Sequence, residues 1–306
     1  MSQLGSITAE KEKQMDLERQ RFQEVKAKML AQQKYKRAAR TAGHIVLNIV
    51  VALIVLLPLL YAVSIAFMPS GELFTLDMNI LPKHPTLENF RQALQKVPLV
   101  RFVVNSFLVA GLITFGQIIS CSLAAFSFSF LDFKGKNVLF MLVMATMMIP
   151  GEATIISNYL TVSGWNWLDS YQVLIVPYLT SAMGIFLFRQ FYMSFPADLE
   201  EAAKLDGCST YRMFFTIIFP LSRPIIIPLS IAFFLGNWNN YLWPLIVNKK
   251  PEYRTIMVYL ANMVGGYNTK WNVVIASAML ACLPVFLISL LLQSHLQNSI
   301  KMSGIK

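Results

Sequence analysis

Charge is scarce in this sequence: Asp, Glu, Lys and Arg supply 14% of a chain that is 56% apolar. With several apolar runs of about 20 residues, that excludes an ordinary soluble domain and leaves a protein that crosses a membrane several times. Cysteine is equally rare. Cys121 and Cys282 stand in apolar runs and Cys208 in a polar loop, so disulfide and zinc spacings are missing and the three thiols read as small packing residues. Three isolated histidines, His44, His84 and His295, form no metal cluster and give a nucleophile no base. No Gly-x-x-x-x-Gly-Lys-Ser/Thr run cradles a phosphate, so the chain does not hydrolyse ATP itself. No internal repeat is evident, so half of any pathway has to come from another chain.

In chain order, residues 1–43 read as one exposed helix, acids first and bases last. Its stripe of Met15, Phe22, Val25 and Met29 is too short for a coiled coil. Lys34, Lys36, Arg37 and Arg40 suit anionic headgroups, with a specific partner as the other reading. The charged stretch is too long for a signal peptide, and no small-residue cleavage site follows the first apolar run. Six spans are expected: 45–67 with a kink at Pro58, 102–130, 138–160, 172–189, 221–247 and 271–292. The second carries Gly111, Gly116, Ser120, Ser122, Ala124 and Ala125, small residues that let backbones approach. Eighteen of the 26 Lys and Arg fall in the segments that this topology puts on one side, which makes that side, with both termini, cytoplasmic.

Two places put polar groups at membrane depth. Pro150 and Gly151 break the third span beside Glu152, which either lines a polar route or caps a broken helix. In the fifth, Asn237, Trp238, Asn239, Asn240, Tyr241 and Trp243 lie between Gly236 and Pro244. Amides suit sugar hydroxyls and flat rings suit the C–H faces of a pyranose. Asn237, Asn240 and Tyr241 are assigned to the route by helical spacing, in a helix that Gly236 and Pro244 allow to distort, while Asn239 and Trp243 are assigned to packing. The competing reading has the amides bonding neighbouring helices and the rings at the membrane interface.

The chain is organised around residues 198–224. Asp198, Glu200 and Glu201 open a helix from Ala197 to Asp206, where the helix dipole favours acids. Gly207 suits the positive φ that ends it, and a second helix, Thr210 to Phe219, is expected to stop at Pro220. Glu201, Ala202, Ala203, Gly207, Ile217 and Pro220 fall at the spacing of the EAA loop of bacterial ABC importer permeases, with Phe219 where leucine is usual. The stretch from Pro220 to Val247 resembles the following helix in the carbohydrate class, the maltose-type inner-membrane component.

That resemblance covers about residues 44 to 297. It implies an all-α membrane protein of the type I ABC importer fold: a cytoplasmic helix 1–43, a first span and external loop 44–100, a core 101–294 with five spans and a coupling loop 193–220, and a tail 295–306. Glu200, Glu201, Ala202, Ala203, Asp206, Gly207 and Pro220 would engage an ATPase subunit dimer, Glu201 and Ala203 facing it. Lys306 would reach the same interface, in a tail where Ser299 replaces the usual glycine. A second permease subunit, an extracytoplasmic solute-binding protein and a sugar substrate complete the set in the bacterial cytoplasmic membrane. No cofactor is expected on this chain, ATP and magnesium belonging to the ATPase, and no nucleic acid. A polyol, glycerol phosphate or peptide is the alternative cargo. A secondary transporter, which should show repeated halves, and a membrane enzyme, which should pair Glu152 with a second acid, are the readings from other classes.

Overall fold

The computed structural model describes residues 37, 40–73, 80–95, 98–265 and 269–303, with side chains as far as residue 291. The stripe of Met15, Phe22, Val25 and Met29, the cations Lys34 and Lys36, and Lys306 lie outside the described residues. The chain divides into two units, Met1–Ala62 and Val63–Lys306. In the first, residues 40–62 belong to helix α1 (Arg40–Phe67). Ile45 to Leu60 leave their aliphatic side chains exposed, as a lipid-facing helix requires. α1 continues through Pro58 as one helix: the ring removes one N–H bond, but its fixed φ is already helical.

Every regular element described in the second unit is helical: α2 (Glu88–Gln95), α3 (Leu99–Phe130), α4 (Lys136–Thr146), α5 (Ile155–Gly164), α6 (Tyr171–Ile175), α7 (Ala182–Tyr192), α8 (Ala197–Leu205), α9 (Thr210–Met213), α10 (Phe219–Leu221), α11 (Arg223–Trp238), α12 (Leu242–Val247), α13 (Ile256–Met263) and α14 (Trp271–Ser303). α3 is the axis. Half of its most apolar stretch is buried, against 17–28% in the other three long apolar helices, and α7 and α11 pack along it. Small residues make this possible. A Cβ on Gly184 of α7 would meet Cys121 Sγ and Phe233 Cζ at 2.8 Å, so glycine is what lets α7 lie against α3 and α11.

One apolar cluster fills the C-terminal half of α3, where Phe126, Phe188, Tyr192, Phe214 and Ile218 are all buried. Between membrane helices such burial stabilises through close packing rather than through removal from water. A second joins Phe102, Phe234, Trp238 and Ile256, and a third joins Ile113, Val173, Trp243 and Val247.

Among the described residues, four helices are long and apolar enough to cross a membrane, and two bent pairs bring the number to six if each is one span. The first pair, α4 with residues 151–164, bends by 90° at the expected Pro150–Gly151 break. The second, residues 210–221 with α11, bends by 76° at Ser222, so α11 begins at Arg223 and not at Leu221. The stretch 171–192 is interrupted too. α6 gives way to a tight turn at Val176–Tyr178 that contains Pro177, and α7 restarts at Ala182, capped by Ser181 Oγ, which accepts from Gly184 N at 3.3 Å.

Candidate functional site

α8 opens with Asp198 and Glu200 in its first turn and ends with Lys204 in its last, the order that a helix dipole favours. Glu200 meets Lys204 at 2.6 Å, and that carboxylate holds the exposed ammonium above its ordinary range. Gly207 has φ +66°, the left-handed backbone that the sequence reserves for it. With it the chain closes a Schellman turn: Gly207 N–H donates to Lys204 O at 3.0 Å and Cys208 N–H to Ala203 O at 2.9 Å. Ser209 then caps α9, its Oγ accepting from Arg212 N at 3.4 Å.

This closure divides the expected coupling residues into two sets. Glu201, Ala202, Asp206 and Gly207 face outward, and Glu200 is half-buried. Ala203 is buried against the cluster around Phe214, so it does not face out as expected: two residues before its helix end it lies on the inward stripe, one place from the outward Ala202. The most exposed apolar groups of the loop are two that the sequence reading passed over, Leu205 at 88% and Tyr211 at 80%. Leu205 was legible as the next outward position after Ala202 at helical spacing.

The second helix does not stop at Pro220. Residues 214–218 form a π-turn, Phe219 N–H bonding back to Phe214 O, and helical backbone continues to Leu221. The wider turn takes the proline ring without the clash that an α-turn imposes, and the chain bends two residues later, at the buried Ser222.

Along the membrane path, Glu152 lies exposed in a single tight turn, Gly151–Thr154, at the 90° bend, outside the packed interior. α11 ends at Trp238, and the chain turns through Asn239–Tyr241 before α12, so the helical spacing by which Asn237, Asn240 and Tyr241 were given their faces is interrupted. Pro244 explains the break. It would remove the N–H that α11 needs to continue and press on Asn240 O, whereas in the first turn of α12 it costs nothing. Asn237 Nδ2 donates to Gln117 Oε1 at 3.1 Å and to Phe233 O at 2.8 Å, so this amide ties α11 to α3. Gln117 was missed; its signal was an amide in the middle of the apolar second span. Asn240 faces the Tyr178 hydroxyl at the interruption, and Tyr241 is exposed. Asn239 is exposed and not packed as expected. Trp243 is packed: its Nε1–H donates to Val173 O at 2.9 Å and its ring meets Tyr178 edge-on.

Beyond α12 the chain is clamped by polar contacts that no local pattern announces. Asp169, at φ +55°, accepts from Lys249 N at 2.6 Å and Lys250 N at 2.9 Å through one carboxylate oxygen. The Lys250 amide first, and then the Lys249 amide and both ammonium groups, hold its carboxyl below the usual value, against a smaller opposing effect of desolvation. Asn105 donates to Glu252 O and Arg254 O and accepts from the Tyr171 hydroxyl at 2.8 Å. Among the described residues no three His, Cys, Asp or Glu stand together as metal ligands.

Residues 116–302 match the family described as binding-protein-dependent transport system inner membrane component. The sn-glycerol-3-phosphate transport system permease protein UgpE of Brucella abortus (strain 2308) is 34% identical over 260 residues, 82% of this chain and 92% of the relative. The protein of the same description from Escherichia coli O1:K1 / APEC is 34% identical over 248 residues, 78% and 88% of the two chains. Among solved structures, a chain of a bacterial ABC transporter involved in the import of the acidic polysaccharide alginate superposes with a TM-score of 0.75 at 20% identity, over 84% of this chain and 97% of that one. At that identity the likeness carries the fold alone.

Proposed function

Because the chain belongs to the binding-protein-dependent transport system inner membrane components, we propose that α8 and its Schellman turn are the coupling element through which an ATPase dimer moves the spans of this subunit. The chain is a permease subunit of an ABC importer with a type I importer fold, is not an enzyme, and relies on a separate subunit for ATP hydrolysis. Membership also implies a second permease, a solute-binding protein and a multi-pass place in the bacterial cytoplasmic membrane. The observation that carries the coupling role is the outward face of Glu201, Ala202, Leu205 and Asp206, presented on a helix closed at Gly207 and joined through the bend at Ser222 to α11. A short rigid helix on a bent span turns a push on its face into rotation of the span. The cationic bias in the sequence supports placing this loop and both termini in the cytoplasm.

For cargo, the Asn240 amide at the interruption supports a hydroxyl-rich solute of the carbohydrate class, whereas Asn237 and Gln117 are taken up in tying α11 to α3. Glycerol phosphate is the second reading, favoured by the two relatives that carry it in their names. The experiment is ATP-driven uptake into proteoliposomes holding the full transporter, with labelled oligosaccharides and labelled sn-glycerol-3-phosphate offered in turn. Uptake of the oligosaccharide supports the first reading, uptake of glycerol phosphate alone replaces it with the second, and uptake of neither under sustained ATP hydrolysis refutes both.

A further inference from the structure

The Tyr192 side chain ends α7 at the centre of the cluster that joins α3, α7 and the bend at Ser222. Its ring is 1% exposed and packed by Phe130, Phe188 and Phe195, the last stacked at 27°, so the ring is fixed and only the hydroxyl can turn. That hydroxyl faces two others, Ser122 on α3 and Ser222 at the bend, yet completes a hydrogen bond with neither. Both serines are fully buried, and both have spent their own protons on their own helices, Ser122 on Ile119 O and Ser222 on Ile218 O. Each serine oxygen is thereby left as an acceptor, and Tyr192 has one proton to offer.

Two further features make the choice between acceptors a mechanical one. The π-turn at residues 214–218 adjoins Ser222, and such turns are points where a helix changes register. A half-open cavity of about 480 Å³, lined by Leu123, Leu131, Thr210 and Tyr211, lies beside the Phe126–Phe214 edge contact, whose ring centroids are 5.2 Å apart, where α3 meets the second helix of the loop. The Thr210–Tyr211 end of this piece thus has open space beside it, and the π-turn gives the piece a joint.

We propose that the Tyr192 hydroxyl is a two-position hydrogen-bond switch at this joint, donating to Ser122 in one position of the 210–221 piece and to Ser222 in the other. Tyr192 is a positioning residue in this role: it touches neither solute nor ATP, and sets how the loop's stroke is shared between α3 and α11. The proposal rests on the coupling role given to α8.

The test reads Mg-ATP hydrolysis, without solute-binding protein, by the complete transporter in proteoliposomes. The variants are Ser122→Ala, Ser222→Ala, Tyr192→Phe and the two double variants that combine each serine change with Tyr192→Phe, a substitution that keeps the ring and its packing. Each serine variant removes one of the two acceptors, so the rates should move in opposite directions, by about fivefold each for one net hydrogen bond, with Tyr192→Phe between them. The loss of each serine's own carbonyl bond is common to both backgrounds and cancels in the cycle. In the Tyr192→Phe background the opposition should therefore vanish. Serine variants that shift the rate the same way, or an opposition that persists without the hydroxyl, overturn the switch. If the wild-type assembly hydrolyses no ATP even with solute-binding protein and solute added, the coupling reading fails instead, and the two failures are told apart by that control.

Discussion

Gly207 offers the most direct test of the coupling loop, because its environment separates backbone strain from crowding. A Cβ built on it meets nothing within 4 Å, so any loss on substitution arises from its φ of +66° alone. An L-residue held there costs about 1–2 kcal/mol, a β-branched one at the upper end and asparagine least, since its side chain tolerates this region. One to two kcal/mol is a factor of about 5–30 in the fraction of molecules with the turn closed. What opens is the pair of bonds from Gly207 and Cys208 to Lys204 and Ala203, and with them the register of α8 against α9. Gly207→Asn, Gly207→Ala and Gly207→Val should therefore lower solute uptake and stimulated ATP hydrolysis in that order. Co-purification of the ATPase subunit should change least in the asparagine variant. A valine variant with wild-type assembly and wild-type uptake would refute the coupling role, and an asparagine variant as impaired as valine would refute the backbone argument.

Trp243→Phe stays aromatic but shrinks a buried ring and leaves Val173 O without its donor, the second alone costing about 1–3 kcal/mol, which a lowered thermal midpoint of the purified complex should show. Asp169 has a depressed carboxyl, so the clamp it makes is present above the ordinary value of 3.8 and is lost as pH falls through its own lower value. Protection of the Lys249 and Lys250 amides against hydrogen exchange, taken relative to the intrinsic rate at each pH, should accordingly hold from neutrality to about pH 4 and fall below it, with Asp169→Asn less protected at neutral pH. Asn237→Leu strands Gln117 and should destabilise, whereas Asn237→Leu with Gln117→Leu should recover most of the midpoint, because removing both partners of a buried hydrogen bond is nearly neutral. Asn240→Ala in an intact assembly should slow uptake and alter solute preference, and unchanged transport would remove Asn240 from the path.

Features governed by one residue's backbone were legible in the sequence. Gly207 was readable because few other residues hold a positive φ, and Pro150–Gly151 because that pair ends a helix wherever it falls. Pro244 marked a distortion correctly, but its consequence, two helices with Asn239–Tyr241 between them, changed which side chains share a face. Pro220 misled, since a proline reads as a stop and a π-turn that accommodates it has no local signature. Ala203 misled for a different reason: an alanine fits either side of an amphipathic helix, so its type does not say whether it faces inward. The clamps at Asn105 and Asn237 were beyond reach because their partners lie more than 100 residues away in the chain, and an amide in an apolar run announces a need without naming what meets it.

The 90° bend between α4 and residues 151–164 bears on how the chain enters its bilayer. The 11 residues of α4 reach only about 16 Å at ~1.5 Å per residue, half of the ~30 Å of hydrocarbon that a translocon must see filled. Neither arm can be released sideways into lipid by itself. Insertion has to treat residues 136–164 as one extended segment, and the corner forms only after neighbouring helices arrive to shelter the carbonyls that it frees. The bend is thus a late event in biogenesis, and a nascent chain arrested once residue 164 has cleared the ribosome should hold this segment straight.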